Sequence, residues 1–120
     1  MRFEELPDFK KEFKQLEKKF KTLPDDLARF KEKVKDSPPQ FGRAVGRHAD
    51  IIRQSEGLLI VKGRMRCHYL RESSLRVIYA FIEQALLVQF IEIYFKGDKE
   101  THNEQRVHAY LDRHELAKLN

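Results

Sequence analysis

A chain of 120 residues, 41% apolar and 36% charged with nine Phe and four Tyr, can bury one core but not two, and its composition is globular rather than disordered. No apolar run approaches the roughly 20 residues that span a bilayer, and Met1 to Leu6 is mixed-charge where a secretory leader is apolar, so a cytoplasmic protein without membrane contact is expected. The net charge of +5 divides by thirds of the chain into +2, +5 and −2, which puts any polyanion-binding surface in the middle third, while the lone Cys67 excludes an internal disulfide.

Phe9, Phe13, Leu16, Phe20 and Leu23 recur at spacings of four and three among Lys, Glu and Gln. That period predicts an amphipathic helix over about 8–21. Thr22-Leu23-Pro24-Asp25-Asp26 reads as a stop and restart, because proline suits a first turn and acidic groups favour the positive end of the helix dipole. A second helix, with Leu27, Phe30 and Val34 as its stripe, runs to about Lys35. So short a connection makes the pair an antiparallel hairpin over about 8–35. Asp36-Ser37-Pro38-Pro39 ends it and opens a connection over about 36–57. Within that connection Phe41 to Gln54 carries Arg43, Arg47, His48 and Arg53, and its pattern fits a loop, a short helix or an edge strand equally.

From Leu58 the period becomes two. Leu59, Val61, Gly63, Met65, Cys67 and Tyr69 share one face of a strand, and Lys62, Arg64, Arg66 and His68 share the other. Leu75 to Ile82 and Leu86 to Phe95 read as central strands of an antiparallel meander, which gives a sheet over about 58–96. Gly97-Asp98 ends it. Thr101 and Glu104 have capping-box spacing, and a helix over about 102–117 follows with the narrow stripe Val107, Tyr110 and Leu111. The expected fold is therefore α+β in one domain spanning 1–120: an N-terminal helical hairpin on one face of a small antiparallel sheet, with a C-terminal helix.

If Ile82 pairs with Leu86 across a three-residue turn, Arg76 faces Glu92, with Tyr94 and Lys96 on the same side. An odd count in the turn near Arg71 to Leu75, or a bulge, brings Lys62, Arg64 and Arg66 to that side, and an even count separates them. A surface carrying several cations, a phenol, a carboxylate and His68, with His102 and His108 arriving from the last helix, holds what RNA cleavage by 2′-OH attack needs: a base, charge stabilisation and an acid. Nothing has the form of a phosphate loop, a nucleophile elbow or a carboxylate cluster for magnesium, so neither metal nor cofactor is expected. Each feature also has a structural meaning: alternating Lys and Arg solvate a strand and guard it from edge pairing, and Arg76 with Glu92 makes a buried ion pair.

Four stretches in order resemble the RelE/ParE superfamily of bacterial type II toxin–antitoxin toxins, and within it the RelE-like mRNA interferases. They are the Lys-rich Phe9 to Phe20, the restart Leu23-Pro24-Asp25-Asp26-Leu27, Arg76-Val77-Ile78-Tyr79, and Ile91 to Lys99. The resemblance covers most of the chain. It implies a helical hairpin on one sheet face and basic groups on the other, growth arrest through metal-independent cutting of mRNA on the ribosome, and silencing by a cognate antitoxin. Arg76 then matches the arginine that contacts the scissile phosphate and Lys96 the basic group ending the last strand, with Tyr94 and His102 as acid or base. Lys62, Arg64 and Arg66 match a region where the family carries basic groups, and with His68 on the same strand face they are the expected RNA-binding residues. The family usually opens with a strand, for which Met1 to Leu6 is a weak candidate, and 40–57 is longer than expected. The ParE branch uses the same scaffold against gyrase without cutting RNA, and a basic interaction domain is the third reading.

Overall fold

The computed structural model describes residues 1–40 and 49–119. Strand β1 (Arg2–Glu5) leads into helices α1 (Pro7–Lys19) and α2 (Leu23–Asp36); strands β2 (Ala49–Ser55), β3 (Leu58–Cys67), β4 (Glu72–Ile82) and β5 (Leu87–Phe95) follow, then helix α3 (Glu104–Leu119). The five-stranded sheet runs β1-β5-β4-β3-β2, with β1 parallel to β5 and all other neighbours antiparallel. The fold is the α+β class read from the sequence, enlarged by an edge strand on each side. The N-terminal edge carries one apolar side chain of weight, Phe3, which stacks on Phe90 at 6.0 Å, while backbone bonds from Arg2 to Leu86 and from Leu6 to Phe90 dock its two ends. On the other edge, β2 gives Ala49 to Gln54, the last six residues of the ambiguous stretch, and the following Ser55 an edge-strand conformation. Phe41 to His48, with Arg43, Arg47 and His48, lie outside the described residues.

Both hairpin helices begin as their residues dictate. Pro7 and Pro24 occupy first turns, Asp8, Asp25 and Asp26 sit at the positive ends of the dipoles, and Lys18, Lys19, Lys33 and Lys35 at the negative ends. Phe9, Leu16, Leu23, Leu27, Phe30 and Val34 bury against the sheet face formed by Leu59, Val61, Met65, Val77, Tyr79, Phe90 and Ile93. Close approach is essential at Gly63, where a Cβ would stand 2.8 Å from the Phe30 ring.

The opposite sheet face is divided. Leu58, Ile60, Ile78, Ala80 and Ile91 lie under Val107 and Tyr110 of α3, with Leu111 at the margin. Toward the other ends of the strands that face carries charged side chains, and no helix among the described residues packs over it. The cap of α3 is Asn103, whose Oδ1 accepts the Arg106 amide at 3.1 Å, in place of the Thr101–Glu104 box suggested by spacing.

Turn chemistry explains the strand register. Glu56 and Gly57 form a two-residue hairpin in which Gly57 takes φ 72°, a value glycine adopts without cost. The connection between β4 and β5 holds four residues, Glu83 to Leu86, with Ile82 opposite Leu87. Leu86 there has φ 46° and is 53% exposed, so a bulky residue occupies a left-handed position without burying its side chain. Leu86→Gly is expected to raise stability by about 0.5–1 kcal/mol, read as a higher urea midpoint at unchanged slope; an unchanged or lower midpoint contradicts the strain.

Candidate functional site

Beyond Tyr79 a bulge shifts the β4–β5 register, so that Tyr79 faces Phe90, Ile78 faces Glu92 and Arg76 faces Tyr94. The expected Arg76–Glu92 pairing is thus replaced, once by the longer turn and once by the bulge. On its other side Arg76 faces Arg64, and Lys62 faces both Ile78 and Asp50. Matching parity answers the question left open by sequence: Lys62, Arg64 and Arg76 share one face. Arg66 continues that alternation, and Lys96 extends the row past Tyr94, its amide bonded to the Ser74 carbonyl at 2.9 Å.

Arg76 is half-buried and folds back along its strand, its Nη1 donating to the carbonyls of Ser73 at 2.7 Å and Leu75 at 3.1 Å. Burial, and then the like charge of Arg64, pull its pKa below the ordinary guanidinium value, against the pull of Tyr94 and Asp50. Two arginines opposite one another on adjacent strands, one of them half-buried, concentrate positive charge of the kind that attracts an anion. Burial, reinforced by Glu92 and opposed by Arg76, raises the Tyr94 phenol. It therefore stays protonated at neutral pH and acts as a donor. The Lys99 ammonium caps the Tyr94 ring at 5.3 Å.

Glu92 turns away from this row. Its carboxylate is fully buried, accepts from Lys99 Nζ, and takes the Asn103 amide at 2.8 Å, which ties the lead-in of α3 to the sheet. Glu92→Ala is expected to cost about 2–3 kcal/mol by stranding those donors, seen as a lower denaturant midpoint and faster exchange of the Asn103 amide. Exchange as slow as in the parent protein would deny it this role.

His102 is held in the seam between α3 and β2. Its side chain is only 9% exposed, Nε2 lies 2.6 Å from Glu104, and Nδ1 is buried without a partner. Glu104 also pairs with Arg53; these neighbours hold its carboxyl below the ordinary value despite the opposing effect of burial. His68 leaves the basic row altogether. A bulge after Met65 and the turn from His68 to Arg71 swing it to the hairpin side, where Nδ1 lies 2.9 Å from the Asp26 carboxylate. Of the eight residues singled out by sequence, Lys62, Arg64, Arg66, Arg76, Tyr94 and Lys96 lie on one face, and His68 and His102 do not join them. Sequence reasoning missed Asp50: the Glu56-Gly57 turn alone would set Ile51 opposite Lys62, and it is a bulge between Ile51 and Arg53 that brings Asp50 beside Lys62.

No three His, Cys, Asp or Glu side chains gather at metal-binding spacing among the described residues, and none of their helices is long and apolar enough to cross a membrane. Neither a protein-family model nor a curated protein matches the sequence. Among solved structures, the chain is similar to one in the crystal structure of the archaeal RelE–RelB complex from Pyrococcus horikoshii OT3. The match has a TM-score of 0.56 and 14% identity, and covers 80% of this chain and 94% of that one. At that identity the likeness carries architecture alone, and the architecture of this chain is RelE-like.

Proposed function

We propose that this protein is the toxin of a toxin–antitoxin pair, acting in the cytoplasm as a metal-independent endoribonuclease on ribosome-bound mRNA. The observation that carries the reading is the row Arg64, Arg76 and Tyr94 across three adjacent strands, an exposed arginine, a half-buried one and a protonated, largely buried tyrosine in register with one another. An RNA phosphodiester fits there with its non-bridging oxygens between Arg64 and Arg76, which stabilise the charge that grows as the 2′-oxygen attacks phosphorus. The P–O5′ bond breaks, a 2′,3′-cyclic phosphate forms, and the 5′-oxygen takes a proton from Tyr94 or the adjacent Lys96. Asp50, the carboxylate that acts on Arg76 from β2, receives the 2′-OH proton. Lys62 and Arg66 hold flanking phosphates, which gives the binding a strong dependence on salt. His102 and His68, engaged with Glu104 and Asp26, stand outside this scheme. An antitoxin partner is supported by the solved neighbour having been crystallised as a RelE–RelB complex.

The test is induction in cells followed by mapping of mRNA 5′ ends. Codon-phased cuts that disappear in the Arg76→Ala variant are expected. Intact transcripts with inhibited supercoiling would transfer the protein to the gyrase-directed class, and unaffected growth would leave a basic interaction domain.

A further inference from the structure

The two helices of the hairpin meet water with different chemistry. On α2 the exposed Asp25, Glu32 and Asp36 are interleaved with Arg29, Lys33 and Lys35, the mixture of a face that is simply solvated. On α1, past its first turn, the exposed charges are of one sign: Lys10, Lys14 and Lys18 stand one above another at spacings of four, Lys11 lies beside them, and Lys21 follows in the turn. The acids of α1 are engaged elsewhere or withdrawn. Glu12 receives both terminal nitrogens of Arg106 at 2.9 and 3.0 Å, Asp8 lies 3.7 Å from the same guanidinium, and Glu17 is half-buried. None of Lys10, Lys11, Lys14, Lys18 and Lys21 has an ion pair or a side-chain hydrogen bond among the described residues. Like charges four residues apart weaken a helix, so a face that did no more than solvate α1 would interleave acids as α2 does.

Phe9 and Leu16 bury α1 on the hairpin side of the sheet, so the lysine row points away from the sheet, on the opposite side of the molecule from Arg76. The neighbouring rings are committed inward: Phe13 stacks on Phe9 at 6.0 Å, and both pack in the core. Ammoniums stepping about 6 Å along a rigid axis, with no ring among them, have the chemistry of a phosphate-backbone contact. Single strands are held by stacking platforms as well as cations, and this row offers none; a double helix is recognised by its shape and its regular phosphates. We propose that the α1 lysine row docks double-helical RNA, with Lys10, Lys11, Lys14 and Lys18 on its phosphates and no base read. The protein then has an RNA surface on each side of its sheet, one for a helical segment and one for the strand to be cut. The docking goes beyond the nuclease reading and does not depend on it.

The experiment is fluorescence anisotropy of the full chain with an RNA duplex of about 16 base pairs, a 2′-O-methyl single strand that cannot be cut by 2′-OH attack, and polyglutamate. The duplex is expected to bind with a log–log salt slope of about −3 to −4, as four displaced counterions imply. The variant Lys10→Gln/Lys14→Gln/Lys18→Gln is expected to weaken the duplex about tenfold or more and to flatten the slope by about 3, while the single strand changes less than about threefold. Glutamine keeps the helix propensity of lysine, and an unfolding midpoint equal to the parent's or higher shows that binding was lost without the fold. The charge-matched Lys33→Gln/Lys35→Gln/Arg113→Gln variant, at exposed positions off the row, keeps the duplex within about threefold. No duplex binding at about 50 mM salt, equal losses in the two variants, equal losses for duplex and single strand, or polyglutamate bound as tightly as the duplex overturns the proposal. The two readings fail separately: a protein that docks the duplex through α1 and cuts no RNA removes the nuclease and leaves the row, and RNA cutting without duplex docking does the reverse.

Discussion

Arg76→Ala is expected to lower RNA cleavage by about 10²–10³-fold with an unfolding midpoint close to that of the parent protein, the signature of a group that stabilises transition-state charge. The structure explains why activity and stability separate. Among the described residues the Arg76 guanidinium bonds two carbonyls of its own strand, Ser73 and Leu75, and its removal also relieves the like charge of Arg64. The loss should fall on kcat more than on KM, because Lys62, Arg64 and Arg66 remain to hold the RNA. Arg76→Lys restores charge but not the planar fork and recovers only part of the rate. Single-turnover cleavage of whatever substrate the wild-type protein cuts gives the measurement, and a rate within threefold of wild type would take Arg76 out of the mechanism.

Asp26→Ala is the largest expected loss of stability, about 2–4 kcal/mol at neutral pH. The Asp26 side chain is 0% exposed and takes bonds from Thr22 Oγ1 at 2.8 Å, Arg29 Nη2 at 2.7 Å, the His68 amide at 3.2 Å and His68 Nδ1 at 2.9 Å. It joins the start of α2 to the turn that follows β3. Burial pushes its carboxyl up, but the bonds from Thr22, Arg29 and His68 outweigh burial and leave it below its ordinary 3.8. A carboxyl depressed in the folded state stabilises fully above its unfolded value, and that contribution disappears as pH falls through the folded one. Asp26→Asn, which mimics the protonated form, should therefore differ most from wild type at neutral pH. The gap closes as the pH is taken below 3.8. Urea midpoints at pH 7 and pH 3 measure it, and a gap that stays constant with pH would mean that the charge itself contributes nothing.

The helical hairpin was legible because nearly all of its buried residues come from one run of aromatic and aliphatic side chains at helical spacing. The basic strand was legible because Lys62, Arg64 and Arg66 alternate with buried residues. Two kinds of information were not carried locally. Arg2-Phe3-Glu4-Glu5 has no pattern of its own and becomes a strand because β5 offers backbone partners. Bulges at Ile78 and after Met65 add residues that no periodicity announces; the first, together with the four-residue turn, gives Arg76 a tyrosine in place of a glutamate as neighbour, and the other delivers His68 to Asp26. The candidate site was thus readable as a set of residue types, and its membership only from the register.

Because Arg2 to Glu5 pair with Leu87 to Phe90, a strand made before the other four described ones is among the last able to dock. A nascent chain must hold that strand solvated until some 80 further residues have been made, a span whose closure costs entropy long before any contact repays it. Four residues with three charges are suited to that wait, since they attract little while unpaired. The completed sheet, and with it the alignment of Arg64, Arg76 and Tyr94, is therefore a property acquired late in synthesis.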